Sequence, residues 1–218
     1  MSGARESILA AVRAGLGGRR AEAVAIAAEA RALLEAPELI RPALADADLV
    51  EAFARKATAP AVGTTVERVA DLGLLPAAVR AYLAAHGLAG RIALQPAAEL
   101  AALDWSGLDV HGTPAPDEPV GVGIARWGIA ETGSLVFHSG ADMPVLLAFL
   151  PLHHVVALRA GTILPHLEDY AAAEQGRPVP RNVNFITGFS GTTDIEGSYV
   201  RGAHGPGFLH VVIVERET

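Results

Sequence analysis

The chain of 218 residues contains no cysteine and a single lysine, Lys56. The lack of cysteine excludes a disulfide framework, a thiolate nucleophile, a cysteine-ligated zinc site and an iron–sulfur cluster held by this chain alone. Acidic residues outnumber basic ones, and the formal net charge is -7. This balance argues against a nucleic-acid-binding protein, because such proteins carry a basic face.

Long hydrophobic runs are also lacking. The longest apolar run, Met143 to Leu152, contains two prolines and falls short of the ~20 residues needed to cross a bilayer. Near the N-terminus, Arg5 and Glu6 precede only five apolar residues, which is too short a run for a signal peptide. We therefore expect a cytoplasmic protein with no membrane span.

Hydrophobic periodicity predicts an N-terminal helical segment, 1–58, followed by an α/β domain, 59–218. The helices of this segment either pack on the core, reach a partner subunit or only cover the surface. In the domain, strands and helices alternate with short loops, which predicts a mostly parallel sheet with helices on both faces and room for a hairpin within 120–158. The predicted helices are 2–16, 20–35, 48–56, 75–86, 97–103, 165–173 and 193–199, and the predicted strands are 62–69, 91–94, 120–124, 134–137, 154–158, 183–187 and 209–214.

Three polar, glycine-containing clusters lie beside apolar runs in the second half of the chain. They are 131–134, 187–196 and 201–206. Loops of this kind at the ends of strands can approach a ligand closely, since a rigid sheet holds them in place. The candidate ligand-binding residues are Thr132, Gly133, Ser134, Thr187, Gly188, Ser190, Thr192, Thr193, Glu196 and Gly205.

The second cluster follows a predicted strand and begins the predicted helix 193–199. Free amides at the N-terminus of a helix can hold a phosphate or carboxylate. The alternative is a capping box between Thr193 and Glu196, in which each side chain bonds the backbone amide of the other. Asp194 and Glu196 would also satisfy the positive end of the helix dipole and repel an anion.

Three residues are candidates for acid or base chemistry: Glu131, Asp194 and His204. Glu131 is equally compatible with an ordinary turn before a glycine, and His204 with bracing its own loop. Arg126, Arg181 and Arg201 lie near the clusters, where they either clamp a carboxylate or are solvated surface charges.

The eight histidines show no spacing typical of a metal site. His153 and His154 are adjacent, and on a strand they point to opposite faces, so they cannot share one ion. No pair has the helical spacing of His-Glu-x-x-His. The sequence therefore predicts no metal site.

Taken together, four segments resemble the lactate-utilisation protein C (LutC) family, which carries the LUD domain. The segments are 128–135, 181–188, 193–196 and 202–206, and the run 209–214 closes the chain as it does in that family. The resemblance covers roughly residues 60–218. It implies a three-layer, mostly parallel α/β fold similar to the ribose-phosphate isomerase, glucosamine-phosphate deaminase and CoA-transferase group.

The resemblance also implies a function. In that family the protein works beside two other subunits, one carrying iron–sulfur clusters, to oxidise L-lactate to pyruvate. This chain has no cysteine, so the clusters are expected on a partner subunit and no cofactor is expected here. Two positions depart from the family pattern, because Gly191 and His138 stand where a basic residue is usual.

Three functions follow as expectations. The first is a non-redox subunit of a lactate-oxidising complex. The second is a stand-alone acid/base enzyme acting on a small anionic or phosphorylated metabolite, with backbone amides of 188–193 holding the anion. The third is a sensor that binds such an acid without reacting it.

Overall fold

We describe the computed structural model of the chain over residues 2–16, 22–36, 41–193 and 197–216. The chain divides into two compact units, Met1–Pro42 and Ala43–Thr218. The described part of the first unit contains helices α1 (Ser2–Gly15) and α2 (Ala23–Glu35), within the two helices that the sequence predicts at 2–16 and 20–35. The side chains of Ile8 and Val12 on α1 are exposed.

The second unit contains four helices and twelve strands among the described residues. The helices are α3 (Leu49–Ala57), α4 (Leu75–Ala85), α5 (Ala98–Ala101) and α6 (Leu167–Ala173). The strands are β1 (Thr65–Val69), β2 (Arg91–Leu94), β3 (Asp109–His111), β4 (Val120–Ile124), β5 (Trp127–Ile129), β6 (Ser134–His138), β7 (His153–Arg159), β8 (Ile163–Leu164), β9 (Val183–Ile186), β10 (Gly191–Thr193), β11 (Tyr199–Arg201) and β12 (Phe208–Val214).

Six strands form the main sheet in the order β1-β12-β7-β4-β2-β3, and every neighbouring pair is parallel. The mostly parallel α/β fold predicted from the sequence is therefore confirmed. The central strands are apolar on both faces, which is typical of a parallel sheet buried on both sides. On β7, for example, Val155 and Val156 are both fully buried in separate core clusters.

The two faces of this sheet are covered differently. Leu75 and Val79 of α4 and Leu100 of α5 pack on one face. Phe53 of α3 and Phe137 of β6 pack on the other. Helices therefore lie on both faces, as predicted. The second face also carries a smaller sheet of order β8-β5-β6-β9, which the sequence did not predict as a separate layer.

Helix α3 belongs to the second compact unit, whereas the sequence-based division places it in the N-terminal segment, before residue 59. The Asp48 carboxylate caps α3 by accepting from the backbone N–H groups of Val50 and Glu51. Phe53 is fully buried in the core of the second unit. The compact units accordingly divide between Pro42 and Ala43 rather than after residue 58.

The smaller sheet contains the hairpin that the sequence allows within 120–158. β5 and β6 pair antiparallel, with Trp127 opposite Val136. Gly133 in the connecting turn has a positive φ of 69°, and an added Cβ would lie 2.6 Å from the backbone nitrogen of Ala57. A residue without a side chain is therefore required where this turn packs against the end of α3.

Candidate functional site

The hydroxyl groups of Thr132, Ser134 and Thr187 form a hydrogen-bonded chain. Thr132 Oγ1 and Ser134 Oγ are 2.7 Å apart, and Ser134 Oγ in turn bonds Thr187 Oγ1. β6 pairs antiparallel with β9, which brings Ser134 and Thr187 to adjoining strand ends. The first and second polar clusters of the sequence thus meet.

The second and third clusters also meet, around a cavity of about 210 Å³. We call it the amino-edge cavity, because residues 204–206 lie just before the amino end of β12 and residues 148–149 just before that of β7. It is lined by Ala148, Phe149, Phe185, Ile186, Thr187, Gly188, Phe189, Ser190, His204, Gly205 and Pro206. Five predicted residues are among these: Thr187, Gly188, Ser190, His204 and Gly205.

Ser190 fixes the two loops that form this cavity. Its N–H donates to Pro206 O at 2.7 Å, and its carbonyl accepts from the N–H of Gly202 at 2.8 Å. Its hydroxyl accepts from the N–H of His204 at 3.3 Å. The bond from the backbone of His204 agrees with the loop-bracing interpretation, while its exposed imidazole lines the cavity.

The other acid/base candidates do not join His204 in this cavity. The Glu131 carboxylate accepts a hydrogen bond from the N–H of Leu167, the first residue of α6, at 2.7 Å. Such a bond satisfies one of the free amides at the start of a helix. Asp194 and Glu196 lie outside the described residues.

Thr192 and Thr193 lie on a two-stranded ribbon, not at the start of a helix. β10 pairs antiparallel with β11, so that Thr192 faces Val200 and Thr193 faces Tyr199. The predicted helix 193–199 is therefore wrong at its described ends, and with it the proposed cradle of helix N-terminal amides. The alternative capping box needs Thr193 at the start of a helix, and Thr193 lies on a strand instead.

The ribbon also accounts for glycine at position 191. An added Cβ at Gly191 would overlap the phenol of Tyr199. A longer side chain, including the basic one usual in the resembling family, would have to displace the Tyr199 ring.

Arg201 is held between two aromatic rings. Its guanidinium carbon lies 4.1 Å from the ring centroid of Phe189 and 4.2 Å from that of Phe208. Its Nε donates to the carbonyl of Gly207. Arg201 therefore joins the two loops of the amino-edge cavity by stacking, and does not project freely as a carboxylate clamp.

A second cavity, of about 290 Å³, lies at the opposite edge of the main sheet. We call it the carboxyl-edge cavity, because Gln95, Arg126 and Arg159 stand at or just after the carboxyl ends of β2, β4 and β7. It is lined by Gln95, Ala97, Glu99, Ile124, Ala125, Arg126, Phe137, His138, Ser139, Asp142, Met143, Arg159 and Thr162. Ligands of open parallel sheets bind at this edge.

Each arginine of the carboxyl-edge cavity already pairs with a carboxylate. Arg126 Nε and one terminal nitrogen donate to the two oxygens of Glu174, at 2.9 and 3.4 Å. Arg159 pairs with Glu99, whose side chain is 42% exposed. The Gln95 side-chain oxygen accepts from the N–H of Ile124 at 2.8 Å, which fixes its orientation.

His138 bonds the hydroxyl of Tyr170 through Nε2 at 2.8 Å. Burial lowers the pKa of His138 below its usual value, and the nearby carboxylate of Glu174 offsets only part of this effect. The imidazole at this position is therefore mainly neutral at pH 7. It does not replace the cation that is usual there in the resembling family.

The adjacent histidines face opposite sides of the sheet, as predicted. His153 Nδ1 is 3.0 Å from the hydroxyl of Tyr82 on the α4 side, whereas His154 stacks on Phe137 on the other side. His154 is fully buried, and burial lowers its pKa to about 4. Within the described ranges, no group of three or more His, Asp or Glu side chains is arranged to hold a metal ion.

The sequence did not predict the carboxyl-edge cavity, although Arg126 and His138 stand out in it for other reasons. The missing signal was positional. Gln95, Arg126 and Ser139 each come directly after an apolar strand or one residue later. The glycine and hydroxyl content of the three polar clusters favoured the other edge of the sheet.

Comparison with known proteins finds similarity within the second unit. Residues 117–214 match the LUD domain family. YkgG of Escherichia coli strain K12 is 37% identical over 106 residues, which cover 46% of each protein. The lactate utilization protein C of Geobacillus thermodenitrificans is 31% identical over 129 residues, 56% of this chain and 54% of that protein. The matches thus span about half the length of these curated relatives.

A solved structure supports the fold. The crystal structure of a DUF162 family protein from Deinococcus radiodurans superimposes with a TM-score of 0.54 at 21% identity, covering 79% of this chain and 99% of the other. No helix in the described part of the chain is both long and apolar enough to cross a membrane. Residues 117–214 of this chain are therefore similar in sequence to the LUD domain.

Proposed function

We propose that this chain is a non-redox subunit of a cytoplasmic complex that oxidises L-lactate to pyruvate. The observation that carries the proposal is the similarity of residues 117–214 to the LUD domain and of the chain to proteins named lactate utilization protein C. That similarity supports a role in lactate utilisation. The proposal goes further in two respects, the subunit composition of the complex and the oxidation of lactate by it.

Because the chain has no cysteine, the proposal assigns electron transfer to other subunits of the complex. Oxidation of lactate to pyruvate releases two electrons and two protons, and the electrons need an acceptor. A chain without cysteine cannot supply four thiolates to an iron–sulfur cluster. In this proposal the clusters belong to partner subunits, and this chain contributes assembly or substrate capture.

The stand-alone acid/base enzyme has less support. Its acid/base candidates are Glu131, Asp194 and His204. The Glu131 carboxylate bonds the N–H of Leu167, and Asp194 lies outside the described residues. His204 lines the amino-edge cavity without Glu131. No described carboxylate lines that cavity with the imidazole.

The test is lactate-dependent dye reduction by the co-expressed partner subunits, with and without this chain. We expect reduction only when the chain is present, and none from the chain alone. Dye reduction by the isolated chain would show that it carries its own redox centre and would overturn the proposal. Reduction that is indifferent to the chain would overturn it as well.

A further inference from the structure

We propose that the carboxyl-edge cavity binds a small 2-hydroxy monocarboxylate, with Arg126 and Arg159 binding its carboxylate. The position of the site and its preference for a carboxylate rest on the lining of the cavity. The choice of a 2-hydroxy acid rests on the proposed function.

The position of the cavity is the first argument. Three neighbouring strands of the main sheet, β7, β4 and β2, end at its wall. Side chains at the carboxyl ends of parallel strands converge on one edge, where the loops leave room for a ligand. A volume of about 290 Å³ lies near the small end of the range for ligand cavities, roughly 300–1,000 Å³. It suits a small metabolite.

The arginines supply the second argument. The Arg126 guanidinium uses Nε and one terminal nitrogen on Glu174, and a guanidinium has five N–H donors. Arg159 uses a terminal nitrogen on Glu99. Both guanidinium groups therefore already bind a protein carboxylate. A ligand carboxylate would form hydrogen bonds of the same kind with them.

The pairing of Arg159 with Glu99 is easily exchanged. Glu99 lies on α5, a helix of four residues, and its side chain is 42% exposed. Exposed ion pairs contribute little to stability, because water screens the charges and the side chains lose rotamer freedom. A ligand carboxylate can take the place of Glu99 on Arg159 at little cost.

The rest of the lining favours a monoanion with a hydroxyl group. Asp142 and Glu99 place two carboxylates at the cavity, which would repel the second charge of a phosphate ester but can accept from a ligand hydroxyl. Phe137 and Met143 provide an apolar wall for a short alkyl group. A small 2-hydroxy acid combines these three features in one molecule.

The test is isothermal titration of the full purified chain with L-lactate, and with acetate and inorganic phosphate as comparison ligands. We expect L-lactate to bind more tightly than either. Arg159→Gln should weaken binding about tenfold, the effect of losing one charged hydrogen bond. Glu99→Gln should tighten binding, because it removes the carboxylate that competes for Arg159.

The matched control is the exposed pair Arg91–Asp109 at the amino ends of β2 and β3. Arg91→Gln and Asp109→Asn should leave lactate binding unchanged, and thermal melting should show that each variant is folded. An unchanged affinity in both Arg159→Gln and Glu99→Gln would overturn the proposal. Phosphate binding as tight as lactate, or no lactate binding at 50 mM, would do the same.

The binding test and the dye assay can give opposite results, and each result bears on a different proposal. If the dye assay needs the chain but the chain binds no lactate, the proposed function stands and this site assignment is wrong. If lactate binds with the predicted variant pattern but dye reduction ignores the chain, the site stands and the subunit role is wrong.

Discussion

Glu131 accepts a hydrogen bond from the backbone N–H of Leu167 at 2.7 Å, and this bond connects the β5–β6 turn to the start of α6. The Glu131 N–H also donates to Pro165 O at 3.1 Å. Two bonds from one residue thus fix the approach to the helix. The carboxylate satisfies an amide at the positive end of α6, which is the effect of an N-terminal cap.

We predict that Glu131→Ala lowers the free energy of unfolding by about 1 kcal/mol, the usual effect of losing a cap. Glu131→Gln should recover most of this loss, since its side-chain oxygen can still accept from the Leu167 N–H. Urea denaturation of both variants measures the difference. Unchanged stability in Glu131→Ala would contradict the capping role given to this carboxylate.

A second prediction concerns Gly188, next to the amino-edge cavity. Its φ is 74°, and an added Cβ would overlap the carbonyl of Val62. Gly188→Ala should therefore destabilise the chain by roughly 2 kcal/mol or more, from backbone strain and from the clash. Urea denaturation measures this loss.

Gly176 provides a matched control for Gly188. Its φ of 76° is nearly the same, but nothing lies within 4 Å of an added Cβ. Gly176→Ala should have only the cost of the positive φ, roughly 1 kcal/mol. If both variants lost the same free energy of unfolding, the clash between an added Cβ and Val62 would have no effect on stability.

The sequence predicted the main sheet well and the second layer poorly. The apolar runs of β4, β7 and β12 are continuous, and such runs indicate a strand buried on both faces. β5 and β8 have three and two residues, too few to give a periodic signal. They exist because they pair with neighbours in the smaller sheet, which is a tertiary effect.

The prediction for residues 191–201 was also limited by contacts that are distant along the chain. Thr193 with Glu196 fits a capping box, and the local pattern therefore favoured a helix. In the structure, Gly191 and Arg201 are paired across a ribbon, and Arg201 stacks between Phe189 and Phe208. The partners of Arg201 lie 12 and 7 residues away along the chain, beyond the i+3 and i+4 spacing that a helical pattern uses.

A third prediction concerns Arg201 between its two rings. Arg201→Lys should lower the free energy of unfolding by about 1–2 kcal/mol, because an ammonium cannot stack its plane on both rings. Arg177→Lys is the control, since among the described residues its guanidinium carbon lies near a single aromatic ring, that of Trp127, at 5.8 Å from the centroid. The control should lose clearly less stability in the same urea titration. A larger loss in Arg177→Lys would contradict the role given to the double stack.

The last prediction concerns His154 and the pH dependence of stability. His154 is fully buried, and neither ring nitrogen has a hydrogen-bond partner among the described residues. Burial lowers its pKa to about 4, from about 6.5 in an unfolded chain. Between these values the unfolded chain takes up a proton that the folded chain does not. The free energy of unfolding therefore falls as the pH is lowered from about 6.5 to about 4.

Replacing His154 should remove its part of this dependence, on the order of 3 kcal/mol if the whole shift is expressed. His154→Phe and His154→Gln should both give flatter curves in urea denaturation between about pH 4 and pH 7 than the unchanged chain. They should differ from each other in absolute stability, because only phenylalanine keeps the stack on Phe137. Burial also lowers the pKa values of His138, His153 and His210, so some slope remains in both variants. Curves parallel to that of the unchanged chain would show that His154 is not a buried neutral imidazole.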